Sequence, residues 1–123
     1  MPRRHLTEPE AASALRRGKE IEQLLGFDSV EGRRTIRWLS AGPWEGGFHL
    51  TLHHVLDAER NEVWDVSELP SVDPDEDHGE GRTLATPATP EELLALASST
   101  HGADPARWVN FAVITDEVTD HRP

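Results

Sequence analysis

From Glu8 to Leu25, the residues Ala11, Ala14, Leu15, Gly18, Ile21, Glu22 and Leu25 fall on one stripe with a period near 3.6, which predicts an amphipathic helix. Thr7 and Glu10 have the spacing of a capping box, and Gly26 supplies a left-handed stop at the far end. Gly18 inside this stretch costs about 1 kcal/mol relative to alanine, so it points to close packing or a weak helix. Beyond it the period becomes two. Arg33–Leu39 alternates, with Ile36 and Trp38 on one face and Thr35, Arg37 and Leu39 on the other. Gly47–Leu56 is the clearest strand: Phe48, Leu50, Leu52, His54 and Leu56 lie on one side, His49, Thr51, His53 and Val55 opposite.

Asp57–Asn61 reads as a polar hairpin loop returning into a third strand, Glu62–Val66. Residues 67–90 hold Pro70, Pro74, Pro87 and Pro90 and many acids, the composition of a long loop. Thr89, Pro90 and Glu92 then supply an N-cap, a first-turn proline and a capping box for a second helix that runs to about Thr100 and stops at Gly102. Trp108–Thr115 predicts a last strand with apolar residues on both faces, which demands a central place in the sheet or an interface between two copies in a homodimer. The order is α-β-β-β-loop-α-β. It predicts an α+β fold, a two-layer sandwich with about four mostly antiparallel or mixed strands, in one domain spanning residues 1–123. The polar ends, 1–6 and 117–123, are expected to be flexible.

Charge sharpens this picture. With 12 Lys+Arg and 23 Asp+Glu the chain carries −11, and the excess is uneven: Asp57–Glu80 holds ten acids and one base, Arg60, a net of −9. Such a block is a solvated surface or a docking surface for a basic partner. An acidic chain is also poorly suited to nucleic acid, whose affinity for proteins comes through Lys and Arg. Cysteine is absent, which removes disulfides, zinc–thiolate sites and thiol nucleophiles. No apolar run approaches a membrane span or a signal peptide, so a cytoplasmic, membrane-free protein is expected.

Candidate chemistry is sparse. Asp73, Asp75 and Asp77 alternate as in an EF-hand, but positions 6 and 12 counted from Asp73 are His78 and Leu84 rather than Gly and Glu. Only weak divalent binding is compatible with that. His49 and His53 share a strand face but lie about 13 Å apart along an extended chain. They cannot hold one metal directly, no spaced ligand motif exists, and no cofactor is expected. Their simplest role is on a solvent face, with His54 hydrogen-bonded and partly buried. If the first two strands pair, Arg37, His49, Thr51 and His53 are candidates to converge on a small anionic ligand. Ser40–Gly47 reads as a Gly/Pro loop carrying Trp44, which is either folded onto the core or an exposed binding anchor.

Two functions are therefore expected. The first is a non-catalytic acidic protein docking on a basic protein partner through Trp44, Asp73, Asp75, Glu76, Asp77 and Glu80, as an immunity or inhibitor protein does by analogy of charge. The second is a small-ligand protein or enzyme using the Arg/His sheet face. No nucleophile or other catalytic motif singles out an enzyme.

Overall fold

A computed structural model describes residues 4–57, 69–73 and 81–121. The elements are α1 (Glu8–Arg16), β1 (Ile21–Val30), β2 (Arg33–Trp44), β3 (Gly47–Leu56), β4 (Arg82–Ala85), α2 (Pro90–Thr100), β5 (Val109–Asn110) and α3 (Ile114–His121). The strands form one antiparallel sheet in the order β4-β3-β2-β1-β5. This is an α+β fold, as the order of hydrophobic periods predicts.

The first helix is shorter than expected. Thr7 and Glu10 form the capping box, but the helix ends at Arg16. Gly18, at φ +78°, closes it: its N–H reaches Leu15 O and the Lys19 N–H reaches Ala14 O, the paired bonds of a Schellman motif. The stretch that continued the helical stripe is β1. Gly26 is not a helix stop; with φ +148° it sits at a bulge where the β1–β2 register shifts between Leu24 and Gly26.

The segment expected as the Ser40–Gly47 loop is mostly strand. β2 runs on to Trp44, and a two-residue turn, Glu45–Gly46, with both residues left-handed, joins it to β3. α2 matches its expected limits, with Thr89 accepting from the Glu92 N–H at 3.1 Å. Residues 82–85, expected as loop, form β4. The proposed strand Glu62–Val66 lies outside the described residues.

The expected strand Trp108–Thr115 is corrected. Only Val109 and Asn110 pair with β1, and the chain then turns through Phe111 and Ala112 into α3. Trp108, Val109 and Ile114 are buried in this chain's own core, whereas Phe111 stands 63% exposed on the turn. Residues 117–121, read from their polarity as part of a flexible end, belong to α3, and Leu6 bridges to Trp108.

Both sheet faces carry apolar cores. On one, Ala11 and Leu15 of α1 and Leu93, Leu94 and Ala97 of α2 cover Ile21, Leu39, Ala41 and Leu50. On the other, Ile114 and Val118 of α3, with Leu69, cover Ile36, Trp38 and Val55. The second face therefore extends the two-layer plan. α3 covers only part of that face, and the rest is polar.

Candidate functional site: the polar half of the second sheet face

The register places these polar groups in rows. β2–β3 pairing sets Gly42 opposite His49, Ser40 opposite Thr51 and Trp38 opposite His53; β1 adds Glu22 beside Ser40, and β4 adds Thr83 beside Thr51. Paired residues in an antiparallel sheet project to the same side. Two histidines, Ser40, Thr51 and Glu22 thus share a patch on the central strands, and Glu20, just before β1, reaches its corner.

His53 is the most confined member. It is 9% exposed, its ring stacks on Trp38 with centroids 4.8 Å apart and planes 12° apart, and Nε2 lies 2.9 Å from Ser40 Oγ. On its other side passes Gly81, at φ +71°; a Cβ there would sit 2.8 Å from His53 Nδ1 and 2.6 Å from Thr51 Cγ2. Only glycine fits both that backbone angle and that gap. Burial, assisted by the neighbouring His49, lowers the His53 pKa from 6.5 to about 4, so the ring is neutral at pH 7. A neutral imidazole beside a serine hydroxyl exchanges one hydrogen bond with it.

His49 is more open. Its Nδ1 lies 2.9 Å from Thr51 Oγ1, and its ring meets the edge of Trp44 at 6.4 Å. Burial lowers its pKa, and the Glu20 carboxylate works in the opposite direction. Gly42 lets Glu20 reach His49: a Cβ at Gly42 would lie 2.7 Å from Glu20 Cγ and 3.3 Å from His49 Nε2. Glu22, 6% exposed, accepts from the Ala112 N–H at 3.1 Å and so ties the patch to the turn before α3.

Of the expected ligand group, His49, Thr51 and His53 come together, but Arg37 does not join them. Odd-numbered residues of β2 pair with even-numbered residues of β3, so Arg37 sits opposite His54 on the other face. There Thr35 Oγ1 lies 2.9 Å from His54 Nε2, the hydrogen-bonded histidine expected from sequence, and Arg37 Nε is buried without a hydrogen-bond partner. His49 and His53 are not on an open solvent face as their simplest role implied.

The expected partner-binding residues also separate. Trp44 is 54% exposed at the turn end of β2. Asp73 follows Val72, whose N–H donates to His54 O, and lines a 180 Å³ cavity with Leu52, His54, Val72 and Arg82. Gly47 and His54 are seven residues apart on β3, about 23 Å. Trp44 and Asp73 therefore do not share a surface. Asp75, Glu76, Asp77 and Glu80 lie outside the described residues.

One cluster escaped the sequence reading. Glu117 of α3, 1% exposed, accepts from Arg4 Nη1 at 3.0 Å and meets His5 Nε2 at 2.5 Å, with His121 Nε2 3.5 Å away and Arg4 also paired to Asp120 at 2.6 Å. Burial alone would raise the Glu117 pKa; hydrogen bonds from His5 and Arg4, and their charges, reverse this and lower it. Its signal in the sequence was the spacing of Ile114, Glu117, Val118 and His121, which is helical and not alternating. The cluster fastens the first residues to α3.

Among the described residues no group of three His, Asp or Glu side chains is placed to hold a metal ion, and no helix is long and apolar enough to cross a membrane. Comparison of the chain with protein-family models, with curated proteins and with solved structures finds no match.

Proposed function

We propose that the protein is a non-catalytic binding protein whose acidic side docks on a basic protein partner. The observation that carries this reading is where the acidic block attaches. The Asp57 N–H donates to Arg34 O, the Leu56 N–H to Pro70 O and the Val72 N–H to His54 O, and Arg82 pairs with Leu52. All these anchors fall on Leu52–Leu56 of β3 and the facing end of β2. The described ends of the block, Asp57 and residues 69–73, are thus held at one end of the sheet, with the Asp57 side chain buried and paired to Arg34; the other carboxylates of the block, Asp73 apart, lie outside the described residues. A block of ten acids and one arginine raises association rates with a basic surface and penalises acidic ones.

The test compares the wild-type chain with a variant carrying Asp73→Asn, Asp75→Asn, Glu76→Gln, Asp77→Asn and Glu80→Gln as baits in the native lysate. A basic protein held by the wild type and released by the neutralised variant is the expected result. Equal retention by both baits, or no retained basic protein, overturns the proposal.

A second reading, a small-ligand site on the polar face, draws on the Ser40–His53 and His49–Thr51 pairs. It predicts histidine chemical-shift changes confined to His49 and His53 on adding metabolite mixtures. Unchanged shifts dispose of it.

A further inference from the structure

We propose that the chain forms a twofold dimer in which Trp44 of each copy plugs a cavity beside Phe111 of the other. This surface lies at the end of the sheet away from the acidic anchors, so it stands or falls separately from the docking of a basic partner.

Trp44 and Phe111 are the large hydrophobic side chains that stand exposed among the described residues, at 54% and 63%. Both are presented by turns with left-handed backbone at residues other than glycine. Glu45, after Trp44, has φ +42°, and Ala112, after Phe111, has φ +75°. Such conformations persist where the surroundings hold them, and Ala112 is held by its hydrogen bond to the buried Glu22.

The two aromatics occupy one end of the sheet. The Phe111 N–H donates to Glu20 O at 3.2 Å, Glu20 crosses Gly42 toward His49, and Trp44 lies two residues beyond Gly42 with its ring against His49. Beside Phe111 opens a cavity of 590 Å³ lined by Arg17, Lys19, Glu20, Asn110 and Phe111, a volume in the range that receives small ligands.

The chemistry of plug and socket matches. The plug is an indole with Glu45 beside it; the socket offers an aromatic face, a side-chain amide, two cations and the Glu20 carboxylate, a net of +1 against the plug's −1. An indole packs on Phe111 in an offset or edge arrangement, and Arg17 or Lys19 gains from its π face. Glu45 then meets the same two cations across the interface. Because plug and socket sit side by side on one surface, a twofold axis between them makes both contacts at once, the closed arrangement typical of homodimers. Charge favours a second copy as the occupant. Arg17 and Lys19 balance Glu20 and Glu45 at this end, whereas the rest of a −11 chain repels its own kind.

Sedimentation equilibrium and light scattering on the full chain test this. The wild type is expected at twice 13.7 kDa. Trp44→Ala and Phe111→Ala each weaken the dimer at least about 30-fold, as loss of a hot-spot aromatic does. Glu45→Arg weakens it as well, and Lys19→Glu added to Glu45→Arg restores it. The circular dichroism spectra of these variants match the wild type, because the altered side chains are exposed in the protomer, and their melting falls only by the lost dimer linkage, a difference that shrinks on dilution. A wild-type mass of 13.7 kDa up to about 200 µM, a dimer that survives Trp44→Ala, or a monomer whose Trp44 is needed to hold a different protein overturns the proposal.

Discussion

Lowering the pH from 7.5 should destabilise this protein, and most sharply through His53. In the folded chain its ring is stacked on Trp38, hydrogen-bonded to Ser40 and covered by Gly81, and its pKa is lowered to about 4; unfolded, the ring regains its ordinary value of 6.5. The unfolded chain therefore takes up the proton first. The neutral ring's full contribution is present above pH 6.5 and is lost as the pH falls from 6.5 toward 4. At about 1.4 kcal/mol for each unit separating the two values, the total is about 3 kcal/mol. About 1.4 kcal/mol is lost by about pH 5.5 and about 2.6 by about pH 4.5. Urea denaturation followed by circular dichroism measures it, with His53→Gln as the reference because glutamine can still bond Ser40 and does not titrate. The difference in unfolding free energy between wild type and His53→Gln should shrink by these amounts, at equal denaturant slopes. A difference that stays constant from pH 7.5 to 4.5 would refute the burial of a neutral His53.

Other predictions follow from single contacts. Gly81→Ala and Gly18→Ala both place a side chain at positive φ, but only Gly81 has neighbours in the way; Gly18→Ala should cost about 1 kcal/mol and Gly81→Ala about 2–3 kcal/mol in chemical denaturation. Glu117→Gln should cost about 1–3 kcal/mol at neutral pH. Because the Glu117 pKa is lowered, the wild type loses this advantage as the pH falls below the ordinary carboxylate value, so the two melting temperatures converge in acid. Ile114→Ala should cost about 2–5 kcal/mol if α3 covers the second face; a cost below about 0.5 kcal/mol would return residues 114–121 to a loose tail.

The parts of the fold that were legible in the sequence are those with a polar side. α2 carries its cap, its proline and its stop in order, and β3 alternates cleanly. β1 hid because it is covered on both faces: Ile21 and Gln23 face the α1–α2 core, Leu24 faces the α3 core, and Glu22 is buried in the polar patch, leaving no polar alternation to see. Its apolar spacing joins smoothly onto α1, and the true stop, Gly18, reads as an internal cost. Trp108 and Val109 misled in the same way, since burial on two sides says nothing about how far a strand extends.

The polar site was half legible. Alternation grouped His49, Thr51 and His53 correctly because they lie on one strand. It could not assign Arg37, because which residues share a face across two strands depends on register, and here the Glu45–Gly46 turn fixes an odd-to-even pairing. Ser40 lies in a Gly/Pro-rich stretch that reads as a loop, which hides it as the partner of His53. Glu22 falls on the stripe of the expected helix and Glu20 off it, so the helical period separates the two. Only the sheet puts them beside the histidines.

The binding reading turns on charge, and the salt dependence of one affinity tests it most directly. With the basic protein captured by the wild-type chain, the dissociation constant is measured by calorimetry between about 0.05 and 0.5 M salt, where the screening length falls from about 14 Å to about 4 Å. The account predicts affinity that drops steeply with salt, and a neutralised Asp73–Glu80 variant whose weaker binding barely changes. Affinity that is independent of salt and equal for both chains would contradict it.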